Sequence, residues 1–345
     1  MKKLLHILAA LGLVVITGFV GTNVSAQSTG VGINPRVDHT IRPGEIATGR
    51  LMVSNLNRNQ PLTVNVKIVD FSAYDETGTP KLLTAENAEQ TAWSLKPYLS
   101  LPSKVDVAAG ETKHIDYSIK IPQNVGAGSY YSAIQYQAVG ADGGNVALNA
   151  APTTLAFVTV PGRATELMSL KQFGAFQSTD DGGSFKSFFT TREPQKLAYR
   201  VENSGTIAEN PKGSILVKNI FGKEVAQINN ANPKDSLALI GQTRRFEVCI
   251  QGSTKSTQTE TGEKIVSEDC ESPKLAPGIY TAEMALYYGI NGSNTQEITA
   301  KTTFWYMPLW FIGVIVVILA GIAGGIFVLR KKLVGGNVKK NRRRN

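Results

Sequence analysis

Beyond residue 26 the chain holds two histidines, His39 and His114, and two cysteines, Cys249 and Cys270. Hydrolysis through a Ser-His-Asp arrangement would need one imidazole held between a nucleophile and an acid. Strand alternation points His114 outward, and His39 lies just ahead of the turn at Arg42-Pro43-Gly44, so both read as solvated surface groups. The spacings HExxH and CxxC do not occur, nor does a phosphate-cradling glycine loop. Two cysteines are too few for a metal cage. Asp142-Gly143-Gly144 and Asp180-Asp181-Gly182-Gly183 could offer carboxylates and carbonyls to calcium. Neither has the ligand spacing of a calcium-binding loop, and both read as polar hairpin turns. Asn291-Gly292-Ser293 is a formal glycosylation sequon and reads as an exposed turn. The expectation is a chain with no catalytic residue, no metal ligand and no cofactor.

The two ends of the sequence carry a different message. Met1-Lys2-Lys3 is followed by an apolar run and then by Val24-Ser25-Ala26, with small residues where signal peptidase reads. Residues 1–26 therefore read as a signal peptide cleaved after Ala26, with an uncleaved anchor helix as the alternative. Leu309 to Leu329 contains no charged residue and, at about 1.5 Å per residue, is long enough to cross a bilayer core of roughly 30 Å. Trp305, Tyr306 and Trp310 stand at its outer end, where amphipathic rings favour the interface. Arg330, Lys331 and Lys332 follow at once, and five more cations with no acid complete the tail. The expected arrangement is a plasma-membrane protein with a single transmembrane helix at 305–329, an extracellular N-terminus and a basic cytoplasmic tail at 330–345. Gly321 and Gly325 form a GxxxG face that would permit homodimer packing of that helix.

Charge and cysteine usage agree with this topology. Removing the two signal lysines and the eight tail cations from 36 basic residues leaves 26 against 27 acids. The cations thus serve topology and contact with the lipid bilayer rather than nucleic acid, for which no motif accompanies the charge. In an oxidising compartment Cys249 and Cys270 most simply pair, across a Ser/Thr/Gly/Glu-rich stretch that looks like a long hairpin loop. Closing that loop would stabilise by about 3 kcal/mol in the chain-entropy model. Two unpaired buried thiols are the alternative.

The intervening sequence reads as strands. Period-two alternation runs through Leu62–Asp70, His114–Ile121, Leu197–Val201 and Ser214–Val217, with glycine turns between them. The fold class expected is mainly β: two tandem immunoglobulin-like β-sandwiches, at 27–162 and 163–304, followed by one transmembrane helix. A weak repeat supports two units. Val53-Ser54-Asn55 and Val201-Glu202-Asn203 end corresponding strands. Gly126-Ala127-Gly128-Ser129-Tyr130 and Pro277-Gly278-Ile279-Tyr280 launch tyrosine-bearing strands at Tyr130–Ala138 and Tyr280–Tyr288. Residues 145–152 read as a loop before a last strand, Thr153–Val160. Residues 85–92 are the best candidate for a short helix, inserted at the surface of the first unit. Trp93 reads as a core residue.

The order Arg42-Pro43-Gly44-Glu45, Val53-Ser54-Asn55, Trp93, Leu101-Pro102, Ala109-Gly110-Glu111-Thr112 and Ile121-Pro122 resembles the peptidoglycan-binding-type first domain of WxL-interacting surface proteins of Gram-positive bacteria. The second unit, with Val201–Gly205 and Pro277–Tyr280, looks like their host-binding-type second domain. The resemblance implies a non-enzymatic adhesin or scaffold that contacts cell-wall peptidoglycan, a surface or host protein, or both. It supplies no binding residue by position. The alternative reading is a membrane-anchored chaperone or assembly factor for secreted surface or pilus-like subunits.

Overall fold

The computed structural model describes residues 30–85, 90–139, 151–178, 183–186, 189–258, 264–289 and 296–341. The expected signal peptide, the expected turns around Asp142 and Asp180, the Asn291 sequon and half of the candidate helix at 85–92 lie outside the described residues. So do the last four residues of the tail.

The first unit is built from β1 (Val31–Ile33), β2 (Arg36–Thr40), β3 (Ile46–Asn55), β4 (Leu62–Ala73), β5 (Pro80–Leu83), β6 (Leu99–Ser100), β7 (Lys104–Val107), β8 (Thr112–Lys120), β9 (Gly128–Val139) and β10 (Thr153–Val160). One sheet has the order β1-β3-β8-β6. The other runs β2-β10-β9-β4-β5, with β7 also on β4. Alternate residues from both sheets, among them Leu51, Val53, Val64, Ile115, Ile119, Ile134 and Tyr136, interleave in a buried core. The chain changes sheets between β1 and β2. Pro35 lacks the amide that a continued ladder would need, and Leu155 donates its N–H to the Pro35 carbonyl at 2.8 Å. β2 then runs parallel to β10, with Arg36 opposite Leu155 and Thr40 opposite Thr159.

The second unit repeats the plan. Its strands are β11 (Met168–Gln177), β12 (Ser184–Lys186), β13 (Phe189–Thr190), β14 (Lys196–Asn203), β15 (Lys212–Asn219), β16 (Glu224–Ile228), β17 (Gln242–Cys249), β18 (Gly252–Gln258), β19 (Lys264–Cys270), β20 (Gly278–Tyr288) and β21 (Gln296–Tyr306). The sheets are β12-β11-β14-β17 and β13-β21-β20-β15-β16, with β13 again parallel to the last strand. The loop foreseen between the cysteines is the hairpin β18–β19. Its base is joined by the Cys249–Cys270 disulfide, with Cα atoms 5.2 Å apart.

The repeated sequence motifs turn out to occupy equivalent positions. Asn55, at the end of β3, donates to the carbonyls of Gln60 and Ala108 and accepts from the Asn57 amide. Asn203, at the end of β14, donates to the carbonyls of Ile207 and Ala238 and accepts from the Gly205 amide. Each buried amide side chain ties its own turn to the loop that precedes the fourth core strand. Tyr130 donates its hydroxyl to the Gly126 carbonyl, and Tyr280 does the same to Ala276, four residues upstream in both cases. These are tyrosine corners, a hallmark of immunoglobulin-like sandwiches. The chain is thus two tandem immunoglobulin-like β-sandwiches, followed by the helix α1 (Leu309–Asn341), of which Leu309–Lys331 is long and apolar enough to cross a membrane.

The two sandwiches share an apolar contact. Val69, Phe71, Tyr131, Ala133 and Phe157 on the outer face of the β2–β5 sheet pack with Ala208 and Leu239 of the second unit. Two hydrogen bonds frame it: Ser129 N–H to the Thr206 carbonyl at 2.9 Å, and Ala208 N–H to Ser129 Oγ at 3.0 Å. Glu209 sits fully buried beside this contact. Its Oε2 accepts from the Gly289 amide, while Oε1 has no hydrogen-bond partner. Burial raises its carboxyl to about 7, the Gly289 amide pulls back, and the Glu166 charge adds to the rise.

Truncating the asparagine should expose its cost. In urea unfolding of residues 27–304, Asn203→Ala is expected to lose roughly 3 kcal/mol, since it strands two buried carbonyls and an amide. Tyr280→Phe should lose about 1 kcal/mol. The Glu209 carboxyl has its folded value raised above its unfolded one, so its neutral form stabilises fully below about pH 4.5, and that stability is lost as pH rises through about 7. The loss is at most about 3 kcal/mol. Urea midpoints of Glu209→Gln should lack this component of the pH slope, and identical slopes in variant and parent would contradict the assignment.

Candidate functional site

β8 has one strand neighbour along its whole length and another along only a fraction. β3 pairs with it from Lys120 back to Thr112. On its other side β6 pairs only Leu99 with Ile119 and Ser100 with Ser118, and Lys120 donates to the Tyr98 carbonyl at 2.9 Å. The next residue able to continue this ladder is Pro102, opposite Asp116, and proline has no amide to donate. The chain leaves for the opposite sheet at once, where Val66 N–H meets the Ser103 carbonyl. Among the described residues no strand pairs with this edge of β8 from Lys113 to Tyr117. Because Lys120 points its amide toward β6, the even-numbered residues do so too, and the main-chain groups of His114 and Asp116 face outward along the open edge.

The surroundings of that edge are polar and shallow. A depression of about 700 Å³ is lined by Thr48, Gly49, Arg50, Ser100, Leu101, Pro102, Asp116, Tyr117 and Ser118. Arg50 Nε donates to Asp116 Oδ1 at 3.1 Å across the β3–β8 pair, with both side chains well exposed. Such a surface ion pair contributes little to stability and leaves both charges open to a partner. Under the edge, the ring of Tyr117 crosses the place where Gly49 lacks a side chain. A Cβ there would lie 2.4 Å from the phenol oxygen. Tyr117 Oη and His39 Nε2 share a 2.6 Å hydrogen bond that links the two sheets. Burial raises the Tyr117 phenol above its ordinary value, so it stays protonated and able to donate.

Parts of some other edges are covered. β10 is flanked by β9 and by β2. The exposed end of β9 is met by Trp93–Leu95: Tyr131 donates to the Trp93 carbonyl, and Leu95 donates to Ser132 Oγ. Buried Asp70 fastens that segment by accepting from Ser94 Oγ at 2.7 Å, from Ser132 Oγ at 2.8 Å and from the Thr91 amide. The edge of β17 is crossed by the β4–β5 turn. There the Arg245 amide donates to the Glu76 carbonyl, Gln242 Oε1 accepts from the Ala73 amide, and Arg200 pairs with the Glu76 carboxylate.

Sequence reasoning placed some groups correctly and others not. His114 is exposed as expected. His39 is not a solvated surface group: it is half-buried against Tyr117, because β2 turns it inward between the sheets. Trp93 is half-buried against Tyr131 at 6.0 Å, at the margin of the contact between the sandwiches. Trp305 and Tyr306 end β21, and Trp310 is exposed in the first turn of α1. Arg330 and Lys331 close the apolar span, with Lys332 just beyond it. Gly321 and Gly325 stand on α1 with nothing within 4 Å of where a Cβ would be. Among the described residues no group of three or more His, Cys, Asp or Glu could hold a metal ion. The open edge itself went unread, although Leu101-Pro102 just after a short strand was its signal.

No family model and no curated protein matches the chain. Among solved structures, the class 5 fimbrial chaperone CfaA is 10% identical, with a TM-score of 0.33, over 81% of this chain and 100% of that one. The Salmonella enterica SafA pilin complex with the SafB chaperone gives 11% identity and a TM-score of 0.33 over 79% of this chain and 95% of the matched chain. The PapD-like domain 7 of human CEP192 gives 13% identity and a TM-score of 0.27 over 43% of this chain and 96% of that one. Likeness at that level carries no property of those proteins over to this one.

Proposed function

We propose that the chain is a non-enzymatic, membrane-anchored protein of the cell exterior that holds an extended segment of a secreted or surface protein along the open edge of β8. This is the assembly-factor reading, with docking by strand addition. The single observation that carries it is the unpaired edge of β8 from Lys113 to Tyr117, where the β6 ladder stops at Pro102. An incoming strand would gain main-chain hydrogen bonds at His114 and Asp116, and the Arg50–Asp116 pair would read its side chains. Exposed edges of this kind are often blunted, as the rims of β9 and β17 are by Trp93–Leu95 and the β4–β5 turn. An apolar chaperone groove has less support, since the apolar outer face of the β2–β5 sheet packs against the second sandwich.

The anchor supplies place. Residues 309–331 would cross the membrane with the basic tail inside, as the cation excess predicts. Peptidoglycan, a partner implied by the resemblance to WxL-interacting proteins, would then bind elsewhere on the first unit.

A photo-cross-linking residue at Asp116, in the full-length protein on cells, should attach to one β-forming segment of a secreted protein. The same residue at Lys67, on β4 of the opposite sheet, should not. His114→Pro removes an outward amide at an edge position that tolerates proline, and should reduce capture about tenfold or more with the fold retained. Unchanged capture would contradict the edge reading. Cosedimentation with peptidoglycan sacculi that survives His114→Pro would place any glycan site away from β8.

A further inference from the structure

The turn between β15 and β16 presents two large apolar side chains to solvent: Ile220 is 64% exposed and Phe221 is 90% exposed. The turn is firmly built. Asn219 Oδ1 accepts from the amides of Phe221 and Lys223, the Gly222 amide donates to the Asn219 carbonyl, and Gly222 holds a φ of 78°. Two adjacent exposed apolar side chains on so firmly built a turn make a candidate contact surface.

Strand register says where the tip lies. Asn219 pairs with Tyr280, and Tyr280 pairs with Phe304. Ile220 and Phe221 therefore continue past the strand end to the level of Ile279 and Gly278, which pair with Trp305 and Tyr306. Only Met307 and Pro308 separate Tyr306 from the start of α1 at Leu309. Two residues span at most about 7 Å. The Met307 amide also donates to the Thr190 carbonyl, which ties even this link to the sandwich. Two strand spacings of about 4.8 Å put the tip roughly 10 Å to the side of β21. Phe189, 45% exposed, lies beside Trp305 at the same end.

We propose that Ile220 and Phe221 insert into the outer interface of the bilayer that α1 crosses, as a second membrane contact that fixes the tilt of the ectodomain. The occupant is lipid, because the short tether brings this end of the sandwich to the level of the aromatic belt formed by Trp305, Tyr306 and Trp310. Lys223, exposed next to the tip, is placed to meet anionic headgroups. The inference rests on the anchor reading of residues 309–331.

The test uses the full chain in nanodiscs of equal parts phosphatidylglycerol and phosphatidylcholine. An environment-sensitive fluorophore is attached at Lys223→Cys, with the native Ile220-Phe221 intact, and lipids carry a nitroxide near the headgroup. Blue-shifted emission that the nitroxide quenches, and loss of both in Phe221→Asp, is the expected result. Ile220→Asp provides the second variant. Emission typical of water, or quenching that persists in both Asp variants, overturns the proposal. Blue-shifted emission insensitive to the lipid nitroxide would place the tip against protein and also overturns it. A parallel label at Phe327→Cys, read with a deep nitroxide, separates the two claims. If it reports lipid while Lys223→Cys reports water, the anchor stands and the hairpin contact falls. If neither reports lipid, both fall.

Discussion

Backbone amides and carbonyls at the rim of a β-sheet must be paired, covered or wetted, and that requirement organises this molecule. The switch at Pro35 lets one short segment pair in each sheet in turn, first with Val53–Asn55 of β3 through β1 and then with Leu155–Thr159 of β10 through β2. In the second sandwich β13 pairs with Trp305 and Tyr306 at the end of β21. Trp93–Leu95 fills the rim of β9 where β4 has bent away, and the turn after β4 reaches the rim of β17 in the other sandwich. Beside these coverings, the stretch of β8 from Lys113 to Tyr117 keeps unpaired main-chain groups, and it is there that the proposed strand from another chain would add.

The contact between the two sandwiches and the start of α1 lie at opposite ends of the second one. The contact made by Ala208 and Leu239 lies beyond the Asn203 and Gln242 ends of β14 and β17, opposite the end that carries Lys196 and Cys249. α1 leaves from the latter end, next to Tyr306. The eleven residues of β20 cross the second sandwich between those ends, a span of about 35 Å. The second sandwich thereby separates the β8-bearing first unit from the start of α1.

Much of the fold was legible because its signals are local. Period-two alternation located β4, β8, β14 and β15, and the last strand expected at Thr153–Val160 is β10. The Asn55 and Asn203 motifs were visible as a repeat, but their role was not, since each reaches a carbonyl some 35 to 53 residues away. His39 was misjudged for the same reason: its partner Tyr117 is 78 residues distant, and nothing near His39 in sequence announces it. The contact between sandwiches did leave a trace. Tyr130-Tyr131-Ser132-Ala133-Ile134 in β9 is apolar on both faces apart from one small hydroxyl, as strands covered on two sides are. The open edge of β8 was the hardest feature to read, because it depends on where β6 stops rather than on any residue of β8.

Amide hydrogen exchange over residues 112–118 tests the central claim most directly. It would be followed in the full-length protein in nanodiscs, with and without the secreted surface proteins of the same cell. The outward amides of His114 and Asp116 should exchange quickly when the protein is alone and become protected when partner is added, while the inward amides of Ile115 and Tyr117, paired to β3, stay slow throughout. Partner binding that leaves the His114 and Asp116 amides exchanging as fast as before would contradict the account.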